Sequence, residues 1–371
     1  MNKKIVISSN TSWSIYNFRL NLARELKNQG YEVFIVAPYD KYTERLKEEF
    51  EYHNIWMNNK GTNPIEDMKT TMEFYKLYKK IQPDIVLNYT IKPNIYGTIA
   101  CSLLGIKTIN NIAGLGTLFI KENFVTKIAK WLYKYSQRKA DKIFFQNRDD
   151  KELFINEGLV KKNKCDVLPG SGVDAKKFVP LEDENKDNKF RFLLIARMLW
   201  DKGIGEYVEA AKIIKSKYKN VEFQLLGPLD VVNPTAITKE KMNIWVDEGL
   251  VKYLGVTDDV REFIKKADCI VLPSYREGTP RTLLESASMA KPIITTDSVG
   301  CRDVVDDGVN GFLCKPKNAN DLANKMEKML KLSYEERKTM GEAGRIKMIN
   351  EFDEKIVINK YLETIKTILK N

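Results

Sequence analysis

Histidine is almost missing from this chain: His53 is the only one in 371 residues. A single imidazole cannot build a histidine-centred metal site, and it nearly excludes a Ser-His-Asp triad. Cysteine is sparse too. Cys101, Cys165, Cys269, Cys301 and Cys314 are odd in number, scattered and never in C-x-x-C spacing, which argues against both a disulfide framework and a zinc site. That pattern points to a reducing cytosol. No 18-residue apolar run exists to span a bilayer, and the apolar stretch in MNKKIVISSN is too short for a signal peptide, so neither is expected. The first strand-to-helix turn lacks G-x-G-x-x-G, which excludes the dinucleotide fingerprint. No strand ends in D-x-D, the pair that would hold a divalent ion.

Basic residues are plentiful and unevenly placed. The net charge is +11, and residues 1–180 hold 29 of the 61 basic and 19 of the 50 acidic side chains, so nearly all the excess lies in the first half. Such a half suits nucleic acid, an anionic membrane or a phosphorylated substrate, and composition does not choose among them. The length accommodates two domains with full cores. Buried-strand runs are expected at 3–8, 31–37, 54–57, 84–87, 107–110 and 141–145, with residues 10–14 a polar loop and 18–29 a helix. Residues 164–189 are turn-rich and then charged, marking a domain boundary. A second series of strands is expected at 190–196, 221–226, 252–254, 269–272 and 292–296. Two α/β units of doubly wound, parallel-sheet type are therefore predicted.

The most informative stretch is Cys269–Lys291. An apolar strand leads into Ser274-Tyr275-Arg276-Glu277-Gly278, and Thr279 and Pro280 then read as N-cap and first residue of a helix with Leu283, Leu284 and Ala287 on its apolar side. The start of that helix is a ready anion site. Glu277 and Glu285 flank it in E-x7-E spacing. Upstream, Arg197 and Lys202 follow a strand five residues apart, the first offering a fork of donors and the second a point charge to a diphosphate. Two surface cations or two unrelated glutamates would each be unremarkable alone.

The strings ARMLWDKG and PSYREGTPRTLLE resemble the donor-site signature of retaining GT-B glycosyltransferases of the family 4 type. The resemblance runs through essentially the whole chain. Residues 88–97 (NYTIKPNIYG) and 110–116 (NNIAGLG) resemble segments of transferases that build O-antigens, capsules and bacterial N-linked glycans on polyprenyl diphosphate, N-acetylhexosaminyltransferases among them. The resemblance implies two Rossmann-like domains facing across a cleft: an acceptor domain of residues 1–170 with the crossing-back helix 355–371, and a donor domain of residues 171–354. It implies Glu277, Arg197 and Lys202 as catalytic groups. Glu285, Gly278, Thr279, Pro280, Arg281, Val256 and Gly227 would hold the donor, with Glu285 on the ribose. Tyr16, Asn17, Arg19, Lys92, Gly114 and Gly116 would face the acceptor. Many relatives place a histidine against the donor sugar in the first domain. Here His53 precedes a short strand elsewhere, so that group is unassigned.

The implied reaction moves a sugar from a UDP-sugar, a UDP-N-acetylhexosamine such as UDP-GalNAc, to a saccharide on polyprenyl diphosphate, with retained configuration, no cofactor and no metal. The negative charge of the departing diphosphate would fall on Arg197, Lys202 and the helix start. Residues 122–139 form a basic amphipathic helix. Phe124, Ile128, Trp131, Leu132 and Tyr135 share one side, and Lys127, Lys130, Lys134 and Arg138 crowd the others. Such a helix suits either the cytoplasmic membrane face, as a peripheral contact, or the domain's own core. Two alternatives stay open: a GT-B UDP-sugar 2-epimerase, and a non-catalytic basic protein binding membrane or RNA. The transferase reading expects no nucleic-acid partner.

Overall fold

The computed structural model describes residues 2–58, 63–114, 124–181 and 187–370, with backbone alone at 124–126. The chain divides into two compact units, Met1–Ser171 with Lys355–Asn371, and Gly172–Glu354.

The first unit is built on β1 (Lys4–Ser8), β2 (Glu32–Ala37), β3 (Glu51–Asn54), β4 (Ile85–Tyr89), β5 (Lys107–Ile112), β6 (Lys142–Phe145) and β7 (Cys165–Val167). All pair in parallel, in the order β3-β2-β1-β4-β5-β6-β7. The central strands are apolar on both sides because helices cover both faces. The helices are α1 (Ser12–Phe18), α2 (Leu20–Asn28), α3 (Thr43–Lys47), α4 (Pro64–Ile81), α5 (Thr98–Leu104), α6 (Phe124–Lys139) and α7 (Arg148–Asn156).

The second unit repeats the plan with β8 (Phe190–Ile195), β9 (Val221–Leu226), β10 (Lys252–Tyr253), β11 (Cys269–Leu272), β12 (Ile293–Thr296) and β13 (Gly311–Cys314), in the order β10-β9-β8-β11-β12-β13. Its helices are α8 (Ile204–Lys217), α9 (Lys239–Asp247), α10 (Arg261–Lys266), α11 (Arg281–Ser288), α12 (Ala319–Lys331) and α13 (Tyr334–Glu351). The last helix, α14 (Glu354–Lys370), belongs to the first unit. Its Val357, Tyr361 and Ile365 are buried there with Ile5, Leu22 and Phe144.

Three local expectations change. Of the expected loop 10–14, residues 12–14 are helix: Thr11 accepts from Ser14 N–H and opens α1, because a hydroxyl ahead of a helix caps it. Arg19 then divides the expected 18–29 helix into α1 and α2. The edge strand is Glu51–Asn54 rather than 54–57, so His53 lies within it, stacked on Phe34. Ile55 and Met57 are buried beyond the ladder, and their apolar alternation made the sequence look like strand.

In each unit the strand order reverses once, between β1 and β4 and between β8 and β11. Such switch points open a crevice at the carboxyl edge of a parallel sheet.

Candidate functional site

The second unit's crevice is assembled from the turns at the carboxyl ends of its strands. After β8 the chain passes Arg197, which is exposed, and reaches Lys202 in a short 3-10 turn. Gly203 comes next at φ +73°, and a Cβ there would lie 2.1 Å from the Pro273 carbonyl oxygen. Only glycine lets this turn lie against the end of β11. From β11 comes the 273–280 turn. Thr296 and Ser298, at and just past the end of β12, both donate to the Ser274 carbonyl, the latter at 3.0 Å, and Glu277 N–H donates to Val299 at 2.9 Å. Gly300 sits beneath at φ +77°, where a Cβ would lie 2.3 Å from the Gly278 carbonyl oxygen.

That bracing carries Glu277 onto Lys202: Lys202 Nζ and Glu277 Oε1 form a charge-assisted hydrogen bond, both side chains largely buried. Two groups 75 residues apart in sequence thus meet at the switch point. Glu285 lies on the next helix, buried, and accepts from Arg281 Nε at 2.7 Å. Burial raises its pKa above the ordinary carboxylate value, while the Arg281 guanidinium pulls the other way.

Pro280, not Thr279, is the N-cap of α11. Its ψ of 106° is extended, and no side chain caps the helix. Gly278 and Thr279 complete the turn just ahead of that end. On the other flank Gly227 donates to the Gly255 carbonyl at 2.8 Å and approaches Ala196 so closely that a Cβ would lie 2.0 Å from its oxygen. Val256, next to Gly255, is 65% exposed. Ahead of α10, Asp259 Oδ1 accepts from the Arg261 N–H at 3.1 Å. Val260 is the N-cap, and Asp259 pairs with Arg261 at 2.5 Å.

The first-unit residues are less uniform. Tyr16 lies against Tyr42 with the Arg45 guanidinium over its ring at 5.4 Å, and Asn17 donates back to Trp13 of its own helix. Arg19 is turned inward. Lys92 is tied to Asp67 at 2.6 Å, so its charge is neutralised within the fold. Gly114 has φ +111°, and Gly116 lies outside the described residues. The sequence reading missed Asn111, buried at the end of β5. It also missed the break in backbone regularity beside it: a π-turn at Pro93–Gly97, and Thr90 at φ +70°. The N-Y-T-I-K-P-N string carried the resemblance but gave no sign of that strain.

On α6, Ile128, Trp131 and Tyr135 are 44%, 63% and 47% exposed, whereas Tyr133, Ser136 and Gln137 face the core. Leu132 is half-buried against that core rather than on the exposed stripe. Lys127 is exposed and Lys134 half-buried. Lys130 pairs with Glu157 at 2.9 Å, and the start of the expected helix, residues 122–123, lies outside the described residues.

Two doubly wound units in series, the second with cations and carboxylates gathered at its switch point, define the GT-B class of glycosyltransferases. Residues 178–347 match the family described as glycosyl transferases group 1, and residues 4–147 match glycosyl transferase 4-like. The chain is 31% identical to the N,N'-diacetylbacillosaminyl-diphospho-undecaprenol alpha-1,3-N-acetylgalactosaminyltransferase of Campylobacter jejuni, over 99% of this chain and 100% of that protein. It is 29% identical to the UDP-Gal:alpha-D-GlcNAc-diphosphoundecaprenol alpha-1,3-galactosyltransferase of Escherichia coli, over 82% and 79%. A glycosyltransferase from Rickettsia africae shares the fold, with a TM-score of 0.82 at 22% identity over 100% and 99% of the two chains. So does HepE of Anabaena, solved with UDP and glucose, with a TM-score of 0.80 at 16% identity over 98% and 100%. This chain belongs to the group 1, family 4-like glycosyltransferases.

Proposed function

We propose that this protein transfers an N-acetylhexosamine, GalNAc being the first choice, from its UDP-sugar to a saccharide carried on polyprenyl diphosphate. The observation that carries this reading is the Lys202–Glu277 pair at the switch point, with Glu285 one helix away. It is supported by the whole-length likeness to a transferase whose name specifies such an acceptor.

The chemistry is built from those groups. A diphosphate entering at α11 meets the positive end of a helix dipole. Competition for Lys202 frees the Glu277 carboxylate to accept hydroxyl protons of the sugar. As the glycosidic bond breaks, negative charge grows on the leaving oxygen and positive charge on the anomeric carbon. Lys202, Arg197 and the helix end oppose the first without reorganising. Glu285 holds the ribose. Glu277, released from Lys202, serves as a sugar-binding carboxylate of the site rather than as a nucleophile, and retention proceeds by attack on the face the diphosphate leaves. No metal or other cofactor is assigned to the reaction.

Peripheral attachment to the cytoplasmic membrane face belongs to the same reading. Among the described residues no helix is long and apolar enough to cross a membrane. Two neighbours of α5 present exposed apolar stripes at helical spacing, Ile65, Met68 and Met72 on α4 and Ile128, Trp131 and Tyr135 on α6. Lys69 and Lys127 accompany them, a composition suited to an anionic interface.

The test is transfer itself: purified protein, UDP-GalNAc, UDP-GlcNAc or UDP-Gal, and a polyprenyl-diphosphate-linked saccharide, with and without EDTA. The expected product carries one added sugar in α linkage by NMR, with a rate unchanged by EDTA. No product with any of the three donors would reject the donor class. Glu277→Ala should lower turnover, and Glu285→Ala should weaken donor binding.

A further inference from the structure

The first unit has a switch point of its own, between β1 and β4, and Arg19 stands over it. Its N–H closes α1 on Ile15 at 2.8 Å, and its carbonyl opens α2 by accepting from Ala23 at 2.9 Å. The backbone between them, at φ −133° and ψ −2°, turns the side chain inward. The residue is only 5% exposed, and its guanidinium carbon lies 4.3 Å over the ring of Tyr89, the last residue of β4. Among the described residues its one side-chain hydrogen bond runs from Nη1 to the Phe18 carbonyl at 3.2 Å. Among the described residues no carboxylate pairs with it, whereas Lys92, Lys202 and Arg281 each have one.

A buried guanidinium with no counter-anion is expensive, and a tyrosine face compensates only part of the desolvation. The neighbouring position is unsatisfied in the complementary sense. Asn111, the register partner of Tyr89, donates from Nδ2 to Tyr361 Oη at 3.2 Å, but its buried Oδ1 has no donor. Among the described residues the crevice therefore holds a cation without an anion beside an acceptor without a donor.

We infer that Arg19 is the anion receptor of the first unit, binding the diphosphate of the acceptor, with Asn111 Oδ1 accepting from a hydroxyl or amide N–H of the adjoining sugar. This rests on the acceptor class proposed above. The planar fork of Arg19 matches two phosphate oxygens, so lysine is a poor substitute.

The test titrates inorganic diphosphate into the full chain with the donor site saturated by UDP, for wild type, Arg19→Met and Arg19→Lys. Wild type is expected to bind, Arg19→Met to lose about tenfold or more, and Arg19→Lys to fall between, as for a charge-assisted pair. In transfer assays Arg19→Met should raise the acceptor KM by a similar factor and leave the donor KM unchanged. Without diphosphate its Tm should equal or exceed that of wild type, because an unpaired buried charge is gone. A wild type that ignores diphosphate would overturn the inference. So would Arg19→Met that melts lower or fails to fold while its acceptor KM, where measurable, is unchanged, since the guanidinium would then be a structural clamp. A rise in donor KM alone would move the anion to the donor and reject the acceptor assignment. Arg19-dependent diphosphate binding without transfer to any lipid acceptor would leave the anion site standing and remove the acceptor reading instead.

Discussion

Lys202 and Glu277 neutralise each other across the second unit's crevice, and their position depends on a glycine packed against the Glu277 backbone. Gly300 lies under the 277–278 turn at φ +77°, with room for hydrogen only. Gly300→Ala should cost about 1–3 kcal/mol of stability through backbone strain. It should also weaken UDP binding by more than its change in Tm suggests, since the turn that moves carries Glu277. Calorimetric melts and a UDP titration on the same variant check both. Glu285 gives a pH prediction. Its folded-state pKa is raised above the ordinary 4.5, chiefly by burial, so the native state holds its proton longer than the unfolded chain does. That contribution favours folding at low pH and is lost as pH rises through the window above 4.5. Glu285→Gln does not titrate, so its Tm relative to wild type should increase from pH 4.5 to pH 7. A constant or shrinking difference would place the carboxylate's pKa at or below the ordinary value.

At the scale of elements, α6 shows how far the amino-acid pattern reaches. Its amphipathicity was legible, but two opposed faces were not separable, because apolar residues occur on both: Tyr133 is 2% exposed and Trp131 63%. Only the packing of Tyr133 against Phe154 settles which face is core. Trp131→Glu with Lys134→Glu should reduce binding to anionic vesicles about tenfold or more while shifting Tm little. Co-sedimentation checks this, and unchanged partitioning would remove α6 from the interface. The same limit explains the other differences. The strands around β1, β2, β8 and β11 were readable as unbroken apolar runs, as double-sided burial requires. Serine and threonine ahead of α1 read as loop because hydroxyls serve turns and caps alike. The donor residues were legible since they come after strand ends in one short string each. The inward turn of Arg19 and the engagement of Lys92 with Asp67 were not, because partners 25 residues apart leave no local spacing.

The whole molecule repeats one topology, and its last helix returns to the first unit. There Tyr361 is fully buried between Tyr89 and Phe144, with centroid distances of 6.1 and 5.0 Å, and its hydroxyl accepts from Asn111. Tyr361→Ala should therefore destabilise the first unit by about 3–5 kcal/mol, as for other buried aromatics. Denaturant unfolding monitored by probes in each unit should show the first transition moving alone.

The central claim is that the crevice of the second unit takes a nucleotide diphosphate of uridine type. The most direct measurement is thermal stability of the full chain with UDP, GDP, ADP and TDP, each with and without EDTA. A nucleotide at about one hundred times its dissociation constant adds roughly 2.7 kcal/mol. The account predicts a shift selective for UDP, unchanged by EDTA and lost in Lys202→Ala. A response to none of the four, or one that survives Lys202→Ala undiminished, would contradict it.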